Sequence, residues 1–553
     1  MNGHVPDNKL KVGPLLRHVG ETDATVWVET DHPCEVEILG RTQTTFTVEG
    51  HHFALVCIEG LEPSKEHCYE VTLDGEKAWP PEDYDFPQPR IRLIPRDGTL
   101  RLLFGSCRAS APHRPPHTFQ RWWHPKGKGI DVLRTFAMRM LRQPSAMWPD
   151  AVMMMGDQLY ADQVPEPVEE IVGDREVHAD GPVEVLEDFE EYTVGYWDAW
   201  THPYVRWLLS TVPSSMIFDD HEINDKWKTS QAWLDEKRET DWYEDRVIGG
   251  LMAYWVYQHL GNLSPAELSE DETYQSICAS GDGSEEVRAL AKDADEGGGK
   301  SRFSFCRDLG PARLIMLDSR AGRELKPGAR KIMSDDEWNW VLDKVDGDHD
   351  HLLMASSLPF LLPAGMHHIE GFSERLTDGA WGTRFEGLGE KIRIGANLDH
   401  WACFRDSFDR FEDLVIDVAT GGCGEPPDSL LIFGGDVHHC WVSEVSIPED
   451  AGETKTKIWQ TVCSGLRKDL QASERIVLHL GHTRFAGIVG WLLARSVGLA
   501  APRLHWRPVT RPHFRNQGGT LEIAGGEVGV KIERVSGGWR KPRLTTVIEH
   551  KLL

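Results

Sequence analysis

Four apolar runs in this chain each end in a cluster of reactive side chains, and this restricts the fold more than any other feature. They are "LRLLFGSCR", "DAVMMMGDQLYAD", "SSMIFDDHE" and "SLLIFGGDVHH". Continuous apolar runs of this length read as sheet strands buried on both faces. "ARLIMLDSR", "LLMASSLP" and "IWQTVCSGL" repeat the pattern with milder endings. Helical patterns lie between several of them. In "IDVLRTFAMRMLRQ", Ile130, Leu133, Phe136 and Met140 share a face. In "SDDEWNWVLDKV", Ser334 and Glu337 form a capping box ahead of an apolar stripe. The expectation is an α/β domain whose strand ends carry the site, as in open α/β sheets.

One of those endings raises a physical problem. Met216, Ile217 and Phe218 run directly into Asp219, Asp220, His221 and Glu222. Burying such groups unpaired is costly, and crowding like charges adds to the cost. Something has to offset it.

At 553 residues the chain is too long for one simple core, so two or three domains are expected. A net charge of −28 argues against non-specific binding to nucleic acids or anionic membranes. The start "MNGHVPDNKLKVGPLL" has no basic or apolar leader segment, and no run reaches transmembrane length, so a cytoplasmic location is expected. Residues 485–501, "FAGIVGWLLARSVGLAA", form the most apolar segment, which reads as a buried or amphipathic helix, with membrane-surface association as the minor alternative. Ten cysteines without CxxC pairs read as free thiols.

Residues 1–97 read as an all-β sandwich and a proline-rich linker. "DATVWVET", "CEVEILG", "TTFTVEG", "HFALVCIEGL" and "CYEVTLDG" are short strands separated by turn residues. "GLEPSKEHCYEVTL" resembles the corner of fibronectin type III domains, with Tyr69 in the tyrosine position. Residues 98–470 form the expected catalytic domain. Residues 471–553 supply a helix and strands that complete or flank it. Residues 163–191 and 279–300 read as insertions, the second as a mobile Gly-rich loop. The Trp-rich stretch from Trp197 to Trp255 reads as core or lid.

Cys107, Asp157, Tyr160, Asp162, Asp220, His221, Asp436 and His438 together supply carboxylate, imidazole, phenol and thiol groups of the kind that hard and borderline metal ions take. Each piece alone has an ordinary reading: a turn, a buried thiol, a helix start, a surface histidine. Four such endings on buried-strand patterns favour a metal cluster, whose cations would offset the charge crowding.

"GSC", "GDQLYAD", "DDHE", "LDSR" and "GDVHH", in this order, resemble the alkaline phosphatase D family of calcineurin-like metallophosphoesterases. The resemblance runs from about residue 10 to at least 470 and includes the late "WQTVCSGLRKDL" strand. It implies a four-layer α/β/β/α core behind an immunoglobulin- or fibronectin-like sandwich. It implies metal ligation by Cys107, Asp157 (bridging), Tyr160, Asp220, Asp436 and His438. The implied ions are Fe(III) with Ca(II), with Mn, Zn or Mg as other possibilities. The implied reaction is hydrolysis of a phosphate mono- or diester by a metal-activated hydroxide, with His221 stabilising charge or protonating the leaving oxygen. Arg108 and Arg320 are the expected phosphate clamps, an ion pair being the alternative for Arg320. Phospholipase-type or phosphotriester hydrolysis, or a non-catalytic metal-stabilised binding protein, are the alternatives. The chain departs from the family at Ser356 and Ser357, where the wider superfamily has a metal-binding His, at Ser464–Gly465 and at Asn224–Asp225. It also lacks the twin-arginine leader of secreted members.

Overall fold

The computed structural model describes residues 9–553 except 64, 174–184, 298, 300 and 348. The front of the chain is a sandwich of two four-stranded sheets. One runs in the order Leu10–Val19, Asp23–Thr30, His51–Glu59, Phe46–Val48, and the other in the order Arg41–Thr44, Glu35–Ile38, Val71–Leu73, Glu76–Trp79. Ala24, Val26 and Val28 alternate toward the sandwich core, where they meet Val36, Ile38 and Val71. The opposite face of the same strand is buried too. Trp27 packs against Tyr257, ring centroids 5.1 Å apart, and the Arg17 guanidinium donates to the carbonyls of Tyr257 and Gln258 at 2.8 and 2.7 Å. The front sheet therefore shares a core with the domain behind it. Tyr69, expected to close a corner within the sandwich, donates its hydroxyl to the Ser210 carbonyl of that domain at 2.6 Å.

The main domain holds two sheets face to face. In the first, Leu100–Gly105, Ala151–Met155 and Ser214–Ile217 run parallel, and the C-terminal strands Gln517–Ala524, Glu527–Gly538 and Lys541–Lys551 extend the sheet antiparallel from Leu100–Gly105. In the second, Ala312–Leu317, His351–Ser356, Ser429–Gly434 and Lys457–Cys463 form the parallel centre, with antiparallel strands at both sides. Phe104 and Phe433 meet between the sheets, centroids 4.9 Å apart. Helix Val132–Met140 covers the outside of the first sheet, its Val132 and Phe136 against Gly518. Asp335–Val345 and Arg405–Thr420 cover the second. The result is the four-layer α/β/β/α arrangement. Continuous apolar runs are required because each central strand is covered on one face by the other sheet and on the other by helices.

One insertion differs from expectation. Residues 284–296 form a helix, not a loop, with Val287, Ala291 and Ala294 buried against the helix Tyr243–Tyr254. That spacing is a helical stripe, which the charge and glycine content masks. In the other insertion, Glu166–Val172 is a short helix, while residues 174–184 lie outside the described residues. Trp200, Trp207, Trp227 and Trp255 are fully buried and Trp197 is exposed, so the Trp-rich stretch is mostly core. None of the ten cysteines forms a disulfide. Among the described residues, no single helix is long and apolar enough to cross a membrane.

Candidate active site

Four loops leave the same edge of the two sheets and converge. Cys107 follows Leu100–Gly105, Asp157 and Tyr160 follow Ala151–Met155, the Asp219–Glu222 turn follows Ser214–Ile217, and Asp436 and His438 follow Ser429–Gly434. Backbone bonds tie the loops together: Cys107 N–H donates to the Gly156 carbonyl at 3.0 Å and Arg108 N–H to the Asp157 carbonyl at 2.8 Å. Asp436 N–H donates to Ser106 Oγ at 3.1 Å across the sheet interface. Cys107, Asp157, Asp436 and His438 all hold positive φ, from 53° to 59°. L-residues rarely adopt this region without a surrounding structure that enforces it. Gly156 (φ 96°) is required at its turn, because a Cβ there would lie 2.7 Å from the Asp219 Cβ.

The loops assemble three overlapping donor groups: Cys107, Asp157 and His438; Asp157, Asp220 and His221; Asp157, Asp219, Asp220 and Asp436. Within each, the donor atoms lie within 4.8 Å of one another. Asp157 belongs to all three. Both of its carboxylate oxygens are buried without a hydrogen-bond partner, as are Asp219 Oδ2 and His438 Nε2. The Tyr160 hydroxyl is buried beside Asp157 and Cys107 without satisfying hydrogen-bond geometry. So many orphaned donors and acceptors at one point are unusual in a folded interior, and they suit bound cations.

The electrostatics agree. Burial and then the carboxylates of Asp219, Asp220 and Asp436 push Asp157 well above the usual carboxylate range. Burial raises the Cys107 thiol and the Tyr160 phenol, with Asp157 adding to both. Asp219 rises to about 7, through burial and against the pull of Arg320. For His221, burial favours the neutral ring, but Asp162, bonded to Nδ1 at 2.7 Å, raises it to about 10. Burial and the nearby Lys468 ammonium lower His438 to about 3, leaving it neutral and able to ligate.

The expected role of Arg108 is corrected, and for Arg320 the structure has the ion-pair alternative. Arg108 does not face the site: its guanidinium is buried, pairs with Asp131 at 2.9 Å and donates to the Ala199 carbonyl at 2.8 Å. Arg320 is fully buried and bridges Asp219 and Asp399, with Asp220 at 3.4 Å. Neither guanidinium is free to clamp a phosphate. Ser357, directly after the strand His351–Ser356, shares a hydrogen bond with Ser319 at 2.8 Å.

Other residues emerge only here. A cavity of about 620 Å³ opens over His221 and His438, and its wall carries Lys128 and Lys468. Both ammonium groups donate to Gln163 Oε1, at 2.9 and 2.8 Å, and among the described residues neither pairs with a carboxylate. Lys468 also lies 4.0 Å from the Tyr160 ring centroid. Burial, with Lys468 close by, lowers Lys128 to about 7. His400 donates from Nδ1 to Glu370 at 2.7 Å and places Nε2 3.3 Å from Asp436 Oδ2, holding that carboxylate well below its usual range. Lys468 lies in the quoted "GLRKDL", but no apolar run precedes His400 or Lys128 to mark them.

Residues 7–91 match a domain of unknown function, DUF7800, and residues 131–479 match the family described as PhoD-like phosphatase. No curated protein matches the sequence. Among solved structures, one titled "Structure of PhoD" aligns over 98 % of this chain and 92 % of that one at 11 % identity, TM-score 0.56, which supports the fold. Purple acid phosphatase PPD1 from yellow lupin (Lupinus luteus) seeds aligns over 98 % and 74 %, at 11 % identity and TM-score 0.47. With the family match covering more than half of its length, this chain belongs to the PhoD-like phosphatase family.

Proposed function

We propose that this protein hydrolyses phosphate esters with the help of metal ions. The observation that carries the reading is Asp157, shared by three donor groups and buried with both carboxylate oxygens unpartnered. Cys107, Asp157, Tyr160, Asp220, Asp436 and His438 would hold the ions, with Asp219 as a further donor. Thiolate and phenolate suit iron(III), and the carboxylate excess suits calcium. Such ions neutralise charge on a phosphoryl group and make a water more acidic.

The remaining roles belong to the chain. The Asp162 contact keeps a proton on His221 when cations neutralise Asp157 and Asp220, so His221 can donate to the departing oxygen. Lys128 and Lys468 replace the two arginines as the groups that meet the non-bridging oxygens. His400 orients Asp436, and is itself held by Glu370. A diester is favoured over a monoester because the cavity of about 620 Å³ has room for a substituent beyond the phosphate.

Elemental analysis beside a mono-, di- and triester panel tests the reading. Iron and calcium should co-purify with hydrolysis of a diester, and the protein should show a phenolate-to-iron absorption band. Chelation should remove activity at least ~100-fold without unfolding the protein. Full activity after complete metal removal would exclude the mechanism, and a colourless, iron-free, active protein would exclude the Tyr160–iron assignment. Lys468→Ala should raise KM about tenfold with a smaller change in kcat, because it removes binding common to substrate and transition state. An unchanged KM would return the phosphate-binding role to other groups.

A further inference from the structure

Helices Ala472–Gly481 and Arg484–Ser496 meet at 69° and present an apolar outer surface. Ile476, Val477, Leu480, Phe485, Ile488 and Leu492 are 55–75 % exposed. Solitary exposed apolar residues are ordinary, but a contiguous group of this size marks a contact surface. The hairpin is fixed in place. Gly490 and Ala494 are buried on the inner face of the second helix, which packs along helix Ala364–Thr377, and a Cβ on Gly490 would lie 3.0 Å from the Gly365 carbonyl oxygen. It is bent and half-packed, so it lies along a surface and does not span one.

Charge decides what that surface meets. The chain carries 88 carboxylates, yet between Ala472 and Ala501 only Glu474 is acidic, and it is engaged in a capping box. Arg484 and Arg495 flank the apolar residues, while Arg475 is paired with Asp469, and the Arg495 guanidinium lies 5.6 Å from the Trp491 ring centroid. Trp122 and Trp123, 56 % and 71 % exposed, stack beside the start of the hairpin, across a cleft bounded by Arg121 and Gln471. Apolar side chains, tryptophans and flanking arginines with almost no acid are the composition of an interfacial helix on anionic lipid. A second copy docking through the same patch would gather the arginines of both copies in one interface with little acid to offset them, which disfavours a symmetric dimer. The net charge of −28 conceals this local cationic face.

The face adjoins the cavity. Arg121, Gln471 and Glu474 line both the cleft or hairpin and the cavity mouth. At the bend, His482 Nε2 lies 3.0 Å from Nε2 of His439, the neighbour of His438. We propose that the hairpin and the Trp122–Trp123 loop seat this protein on an anionic lipid surface, with the cavity mouth at that surface. The docking does not depend on the reaction proposed above.

Co-sedimentation of the full chain with vesicles tests it. Binding to phosphatidylcholine vesicles containing about 30 % phosphatidylserine should be at least ~tenfold tighter than to phosphatidylcholine alone, should weaken with salt, and should shift tryptophan emission to the blue. Combining Phe485→Ser, Ile488→Ser and Leu492→Ser should lower vesicle affinity at least ~tenfold while melting temperature and hydrolysis of a soluble ester stay unchanged. Trp122→Ala with Trp123→Ala should weaken binding in the same way. Absence of vesicle binding, equal binding to both compositions, or binding indifferent to the triple substitution would each overturn the proposal. So would a dimer in analytical ultracentrifugation that the triple substitution dissociates while vesicles remain unbound.

Discussion

Asp157→Asn is expected to lower kcat by at least ~10³-fold, and to leave the metal-free protein as stable as the parent or slightly more so. The two effects have one cause. Asp157 is the donor common to all three groups, and an amide supplies one neutral oxygen where the carboxylate offers two charged ones. Metal content should fall with activity. The backbone at φ 54° accepts Asn readily, since Asn is among the residues that enter this region most easily. Without cations, the Asp157 charge is buried beside three other carboxylates, so removing it relieves repulsion. The same logic sets a pH dependence for the stripped protein. Folded-state values of Asp157 and Asp219 are raised, so their contribution to stability is complete below the ordinary 3.8 and declines as pH rises, for Asp219 through about 7. Metal binding runs the other way, because ligands must lose protons. Melting temperatures of stripped and loaded protein across this range, with metal analysis of the variant, check the prediction. A variant that keeps its metals and its kcat removes Asp157 from the centre of the site.

Arg320→Ala is expected to destabilise the protein by about 3–5 kcal/mol, the usual cost of leaving buried charge without its partner. The guanidinium is fully buried and satisfies Asp219 and Asp399 at once, with Asp220 nearby. Its loss leaves Asp399 to Arg323, at 3.2 Å, and removes the Asp219 ion pair, for which the described residues hold no replacement in the metal-free state. Arg320→Lys should recover only part of the loss, because a single ammonium cannot fork across carboxylates on opposite sides. Denaturant unfolding of stripped protein reads the effect directly. A phosphate clamp would behave differently: stability intact and KM raised. That outcome would overturn the structural role of Arg320.

The apolar runs carried the fold because strands covered on both faces must be apolar throughout, so they are visible without tertiary information. The donors at their ends were visible for a related reason. Cys107, Asp157, Asp220 and Asp436 interrupt those runs at one edge, where polar groups have no place unless something binds them. The helix Ser284–Glu296 was missed because its narrow stripe, Val287, Ala291 and Ala294, is diluted by acid and glycine. Arg108 was misassigned, and the two readings of Arg320 stayed open, because position next to a donor in sequence says nothing about direction. Each turns away from the cavity to pair with a carboxylate from another segment, Asp131 for one and Asp399 for the other.

By itself, then, the sequence determined the layered core, the strand edge where the chemistry sits and the residue types gathered there, since burial and periodicity are local properties. Only the tertiary structure decided which charges face one another. It gave His221 to Asp162 and Asp436 to His400, withdrew both arginines and set Lys128 and Lys468 in the cavity wall. Those contacts join residues well separated along the chain, 59 positions for His221 with Asp162 and 305 for Lys468 with Gln163, and the strength of a charge interaction depends on distance and burial in space, neither of which spacing along the chain records.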